Sequence, residues 1–183
     1  VSFLAGFPDS VPGVTINRLC GSSMHAVLSA AANIESGWGD CYLCAGVESM
    51  SRVKRRGFNW SPHPGLELDW PEAYVTMGQT AENIADDWEI SRAEQEAFAL
   101  DSHLKASAAL EAGEFEGEIV PVVDGQETVV SDGCIRSDST LEAMAALKPV
   151  FSENGTVTAA TSSPLTDGAV AMIVCSEKFA ADK

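Results

Sequence analysis

The chain has 183 residues, 45% of them hydrophobic, and a formal charge of −16. This length and composition suit one ordinary domain, or one domain with a large insertion, with enough apolar mass for a core. The charge argues against a phosphate backbone as partner, and no run reaches the roughly 18 apolar residues of a membrane span.

Val1 to Pro8 has no basic start and no cleavage pattern of a secretory signal, and there is no initiator Met. Ser176 to Lys183 reads as a helix that has only begun, so both ends are expected to be cut rather than finished. Val11 to Leu19 is an expected strand opened by Pro12-Gly13. Met24 to Glu35 is Ala-rich and apolar all round, as in a buried helix, and Gly37 fits just past its end. Cys41 to Val47 is the next strand, continuously apolar. Such strands beside a buried helix suggest a parallel sheet covered on both faces.

From about Ser49 to Asn154 the chain is richer in charge, Pro and Trp. Arg52, Lys54, Arg55 and Arg56 form a basic cluster, read first as a solvated loop and second as a contact for a phosphorylated ligand or a partner surface. His63-Pro64-Gly65 is a turn signal. Thr76 to Gln79 resembles a capping box, with a helix to about Trp88. Ser91 to Glu94 is a second box, opening a long helix that ends near Gly113. Ile119 to Val123 and Glu127 to Val130 flank Asp124-Gly125, an expected hairpin. Ser139 to Glu142 is a third box, and Pro149 closes its short helix. Asn154-Gly155 is a turn, Thr156 to Ala159 is short and β-prone, and Ala169 to Cys175 is another apolar strand. The pattern is one α/β core interrupted by an inserted domain. Expected boundaries are core over 1–48, insertion over 49–154 and return to the core over 155–183.

The five cysteines are odd in number and widely spaced, which points to a reducing compartment rather than a disulfide framework. Cys41 and Cys44 form a C-x-x-C. Residues three apart on a strand point to opposite faces, and no second pair or nearby histidines complete a zinc site. Cys41, Cys44 and Cys175 therefore read as buried structural cysteines, and Cys134 lies in a polar loop. Cys20 differs, because it stands where a strand ends and a helix begins. The thiolate is the nucleophilic form of cysteine, and a free thiol titrates near ~8.5. A helix N-terminus offers partial positive charge and unpaired N–H groups. Gly21-Ser22-Ser23 leave room for a thioester carbonyl, whose developing oxyanion those N–H groups could hold. Ser22 and Ser23 lack a G-x-S-x-G elbow. Among the histidines, His25 is one turn into the same helix and is expected to line or support the pocket. His63 lies in a loop within reach of a ligand. His103 sits mid-helix among charges and is expected in solvent. None stands out as a base.

Several segments in order resemble the thiolase family. Asn17-Arg-Leu-Cys20-Gly-Ser-Ser-Met-His-Ala26 is similar to its nucleophile motif. Ala45 to Ser51 resembles the strand end that leads into its loop domain. Met77 to Ala85 and Ile90 to Ala99 resemble the loop-domain helices. Leu147 to Phe151 and Gly155 to Ala169 resemble the return into the core. The detail is most similar to 3-ketoacyl-CoA thiolases of fatty-acid β-oxidation. The resemblance implies a thiolase-like α/β fold of two core domains. Each has a five-stranded mixed sheet, and the first carries an inserted α+β loop domain. It implies a ping-pong acyl transfer: cysteine attacks a 3-ketoacyl-CoA, acetyl-CoA leaves, and the acyl group passes to a second CoA. Some relatives run the condensation instead. CoA is then a substrate, no cofactor or metal is bound permanently, and the whole protein is a homodimer or homotetramer in the bacterial cytoplasm or an organelle matrix.

By the same resemblance Cys20 falls on the acylated nucleophile, and its own N–H on an oxyanion donor. Met77 falls on a residue packing on pantetheine, Arg136 near the adenine end of CoA, and Phe151 on an adenine-region contact. Ala159, Ser162 and Ser163 fall on the segment lining pantetheine. The plainer readings are Met77 as core, Phe151 as a flanking anchor, Arg136 in a surface ion pair, and Ser163 shaping a turn before Pro164. Thr161 and Ala160 depart from the Asn and Gly of many relatives and read as subgroup marks. The Gly-His-Pro, Cys-x-Gly and Asn-Glu-Ala-Phe motifs of the second core domain have no match here, so this chain alone is expected not to turn over. Two other readings stay open: a condensing enzyme of the ketoacyl-synthase type, which would lack the loop domain, and a non-catalytic CoA- or acyl-binding module.

Overall fold

The structure, a computed structural model, describes residues 1–53 and 57–183. Lys54, Arg55 and Arg56 of the basic cluster lie outside the described residues. In chain order the elements are α1 (Ser22–Glu35), β1 (Cys41–Glu48), α2 (Pro64–Asp69), α3 (Met77–Asp87), α4 (Arg92–Glu111), β2 (Val122–Asp124), β3 (Glu127–Val129), α5 (Leu141–Ala145), β4 (Gly168–Cys175) and α6 (Glu177–Ala181). They form two compact units, one of residues 1–58 with 165–183 and the other of residues 59–164. Among the described residues no helix is long and apolar enough to cross a membrane.

In the first unit β1 and β4 pair antiparallel over their whole length, from Cys41 opposite Cys175 to Glu48 opposite Gly168. The parallel sheet suggested by their apolar runs is not what these two strands form. An apolar run reports burial and carries no information on strand direction. Helix α1 packs on one face of the pair. There Cys44 is buried and its thiol donates to the Ala26 carbonyl at 3.6 Å. Gly46 faces Ser23 so closely that a Cβ would collide with the hydroxyl, so glycine lets the helix approach the strand. Only Ala30 of α1 is buried, while Met24 and Leu28 are exposed. The helix is covered on one side here, not all round as expected. Leu43, Val47 and Ile173 are likewise exposed on β1 and β4. At the end of the ladder the Asp167 carboxylate accepts from the Ser51 N–H at 2.8 Å and from the Ser51 hydroxyl. It thus ties the exit of β1 to the entry of β4.

The expected strand over Val11 to Leu19 is absent, because the segment has no ladder partner among the described residues. An extended stretch becomes a strand only when its N–H and C=O groups find one. Thr156 to Ala159 also forms no strand, and a short 3-10 turn runs over Ala159–Thr161 instead.

The second unit is built on α3 and α4. Thr76 caps α3, accepting from the Gln79 N–H at 3.4 Å. Ser91 and Glu94 form a complete capping box on α4. Beyond α4, Gly113 takes φ 73°, the left-handed conformation favoured just past a helix end. The hairpin forms as expected, with Gly125 at φ 64° between β2 and β3. On α5 the cap is Thr140, accepting from the Ala143 N–H at 3.2 Å, one residue later than the expected Ser139 box. Arg92 locks α5 to α4. Its guanidinium donates to the carbonyls of Met144 at 3.0 Å, Ala145 at 3.1 Å and Leu147 at 2.7 Å, and pairs with buried Glu96 at 2.6 Å.

Candidate functional site

Cys20 is exposed and stands one residue before Gly21, the N-cap of α1. No side chain caps this helix. Its first turn therefore leaves N–H groups and partial positive charge at the end nearest the sulfur. The residue before the thiol, Leu19, has φ 50°. A left-handed Leu costs roughly 1–2 kcal/mol, and it persists only where its surroundings over-determine it. They do so here. Asn17 Oδ1 accepts from the Leu19 N–H at 3.0 Å. Ser22 Oγ accepts from the Arg18 N–H at 2.8 Å and donates to the Leu19 carbonyl at 2.6 Å. The Ser22 N–H also donates to that carbonyl, at 3.0 Å. The result is a tight elbow that turns the chain into α1 with Cys20 at its outer edge.

His25, one turn into α1, places its Nδ1 3.4 Å from Arg18 Nη1. It braces the elbow from the helix side. His63 caps α2, accepting from the Leu66 N–H at 3.4 Å. His103 was expected in solvent but is half-buried, and its Nδ1 accepts from the Arg136 N–H at 3.2 Å. The reason is local: α4 lies under the loop that carries Arg136.

The other candidate residues all lie in the second unit. Met77 is the first residue of α3 and is exposed. The ring of Phe151 lies where a side chain on Gly78 would be, so Phe151 packs on the first turn of α3, against the residue that follows Met77. Arg136 is held by its backbone on α4, and its side chain is exposed. Ala159 opens the 3-10 turn, and Ser162 Oγ donates to the Thr158 carbonyl at 2.8 Å. Ser163 is exposed, with its hydroxyl 3.5 Å from the Pro164 carbonyl. The structure thus places Phe151 on Gly78, next in sequence to Met77, and Ala159, Ser162 and Ser163 along one turn. Arg136 stands on a separate contact.

Glu82 joins the two groups, and sequence reasoning passed over it. Its carboxylate accepts from the Thr156 N–H at 2.8 Å, the Val157 N–H at 3.0 Å and the Thr156 hydroxyl at 3.2 Å. It is 8% exposed. Gly155 leaves the room it needs, since a Cβ there would strike the carboxylate. Gln95 of α4 donates to the same Thr156 hydroxyl at 2.9 Å. Segment 151–158 is therefore strapped to α3 and α4. An open groove of about 380 Å³ lined by Ile90, Glu94, Gln95, Phe98, Ala99 and Thr161 runs beside the turn that follows. A sequence signal for Glu82 exists: an acidic residue five positions into an otherwise apolar helix face, matched by Gly155 in a β-prone segment.

The family model for the thiolase N-terminal domain matches residues 1–178. A 3-ketoacyl-CoA thiolase of Pseudoalteromonas translucida is 48% identical over 96% of this chain and 46% of its own length. A beta-ketoadipyl-CoA thiolase of Pseudomonas knackmussii is 43% identical over 94% of this chain and 48% of its own. Among solved structures, the dimeric peroxisomal thiolase of Saccharomyces cerevisiae superposes with a TM-score of 0.89 at 33% identity, over 98% of this chain and 47% of that one. Human mitochondrial 3-ketoacyl-CoA thiolase in complex with CoA superposes at 0.82 with 34% identity, over 98% and 49%. The chain spans about half the length of the curated relatives it matches.

Proposed function

The chain belongs to the thiolase family, and on that premise we propose that the whole protein cleaves 3-ketoacyl-CoA thiolytically, or runs the reverse condensation, through an acyl-Cys20 intermediate. The observation that carries the reading is the elbow. An exposed thiol sits at an uncapped helix start, behind a left-handed Leu19 held by Ser22 and Asn17. Attack of the Cys20 thiolate on the 3-keto carbon of the 3-ketoacyl-CoA forms the S–C bond, and the keto oxygen becomes an oxyanion. N–H groups at the helix start, including that of Cys20, are the donors nearest in kind to stabilise it. Collapse breaks the C2–C3 bond, acetyl-CoA leaves as its enolate and takes up a proton, and a second CoA thiol then takes the acyl group from Cys20.

For CoA, the proposed contacts are Met77 and Phe151 at the head of α3, and Ala159, Ser162 and Ser163 on the turn after the Glu82 strap. Arg136 is proposed for the nucleotide end, where its exposed guanidinium suits a phosphate. We propose residues 1–48 and 155–183 as core and 49–154 as the inserted loop domain. A homodimer or homotetramer in bacterial cytoplasm or an organelle matrix completes the reading. The chain alone is proposed not to turn over. His25, His63 and His103 are engaged with Arg18, α2 and Arg136 respectively, and the family's base and second-cysteine motifs have no match in these residues.

The test is intact-mass analysis of the whole protein after mixing with acetyl-CoA. One acetyl adduct mapping to Cys20, lost in Cys20→Ala, is the expected result. An adduct that survives Cys20→Ala would overturn the nucleophile assignment. CoA binding with no adduct at all would favour a non-catalytic CoA-binding module.

A further inference from the structure

The register of the first unit places two cysteines face to face. Cys41 and Cys175 are the first paired residues of β1 and β4. One step outward, the Ser176 N–H donates to the Asp40 carbonyl at 2.9 Å, so the pair 40/176 is a hydrogen-bonded one. Antiparallel ladders alternate, so the pair 41/175 is non-hydrogen-bonded, the kind in which Cα atoms lie about 4.5 Å apart and side chains approach most closely. That spacing falls inside the window a disulfide spans. A second hydrogen bond, from Ser176 Oγ to Asp40 Oδ1 at 3.3 Å, holds the strand ends together beside the pair.

Accessibility separates these two cysteines from Cys44, the other cysteine of the ladder. Cys44 points at α1 and is buried. Cys41, three residues away on the same strand, points to the opposite face and is exposed, and Cys175 across from it is half-exposed. The expectation that all three are buried structural cysteines holds only for Cys44. Burial also pushes the Cys44 thiol up from its ordinary value, which leaves it a poorer nucleophile.

We propose that Cys41 and Cys175 form a redox-responsive dithiol site that closes to a cross-strand disulfide on meeting a small-molecule disulfide. The proposal is independent of the acyl-transfer reading. One protein thiolate attacks a sulfur of the small disulfide, forming a mixed disulfide and releasing one small thiol. The second protein thiolate then attacks the protein-side sulfur of that mixed disulfide, and the second small thiol leaves. Two protein S–H bonds become one S–S bond. The two electrons reduce the incoming disulfide, and the two protons end on the released thiols. The bridge would link β1 to β4 at the end of the ladder opposite the Ser51–Asp167 tie. The chain leaves for and returns from the second unit beyond the Ser51–Asp167 tie.

The experiment uses whole protein in a Cys20→Ala background, so that chemistry at the elbow adds no mass. Protein is incubated with oxidised glutathione and then analysed by intact mass and by non-reducing peptide mapping. The expected outcome is loss of two hydrogens, a linked pair of peptides carrying Cys41 and Cys175, and full reversal by dithiothreitol. Cys41→Ser and Cys175→Ser should each lose the bridge and carry a single glutathione adduct on the remaining partner. The oxidised protein should melt higher than the reduced one. A bridge mapping to any other pair, or stable separate adducts on both cysteines without a bridge, would overturn the proposal. The mapping in Cys20→Ala protein decides the matter even where a serine variant does not fold.

Discussion

Ser22 Oγ donates to the carbonyl of Leu19 at 2.6 Å, and through that contact one serine holds the backbone that presents the neighbouring thiol. The same oxygen accepts from the Arg18 N–H at 2.8 Å, so the side chain bridges two peptide units across a left-handed residue. Removing it should loosen the elbow without touching the sulfur. Ser22→Ala is expected to slow acylation of Cys20 about tenfold, the equivalent of ~1.4 kcal/mol of lost positioning, while binding of CoA is unchanged. Pre-steady-state acyl-adduct formation measures the rate. Leu19→Gly is the companion: it relieves a φ of 50°, and should leave stability unchanged or raise it by up to about 1 kcal/mol.

Phe151 and Gly78 are predicted to couple. A methyl group on Gly78 would occupy the Phe151 ring, so Gly78→Ala should cost about 1–3 kcal/mol through overpacking. Replacing Phe151 with Leu makes room, so the double variant should recover part of that loss. A coupling of at least ~0.5 kcal/mol in a denaturant-unfolding cycle is expected. Additive losses would place the ring elsewhere.

Glu82 is predicted to be the more costly loss. Glu82→Ala leaves the part-buried N–H of Thr156 and the buried N–H of Val157 without their acceptor. A buried donor left unpaired costs about 1–3 kcal/mol, so a loss of roughly 3 kcal/mol is expected for two partly relaxed ones. Hydrogen exchange should rise first at those two amides. If exchange rose evenly over α3 instead, the carboxylate would be acting on the helix and not on the strap.

The Ser51–Asp167 tie carries a pH signature. Hydrogen bonds from the Ser51 hydroxyl and N–H hold the Asp167 carboxyl below its ordinary value, with smaller help from Met50 and Ser49. A carboxylate whose folded value is lowered adds stability that is complete above the unfolded value, near ~3.9, and is lost as pH falls through the folded value. The melting temperatures of the parent and of Ser51→Ala should therefore differ by a constant amount at neutral pH. The gap should narrow only below about pH 4. A gap that widened with acid would contradict the sign.

How much of this was legible from residues alone depended on the range of the interaction. Ser91 and Glu94 close their capping box within one turn, and Gly125 turns its hairpin within four residues, so both were readable. Cys20 at a helix start was readable for the same reason, since the helix begins within two residues of it. The left-handed Leu19 was not, because no local preference puts Leu there. It follows from three hydrogen bonds that close together.

The sequence by itself determined most of the helices, the hairpin, the two long apolar strands, the family and the identity of the candidate nucleophile, because these rest on short-range periodicity, caps and contiguous motifs. Only the tertiary structure decided the antiparallel register of β1 and β4, the Glu82 strap across 74 residues, and which cysteines face each other. Pairing direction and long-range partners are set by which surfaces exclude water together. Chain positions far apart share no local signal that records this choice.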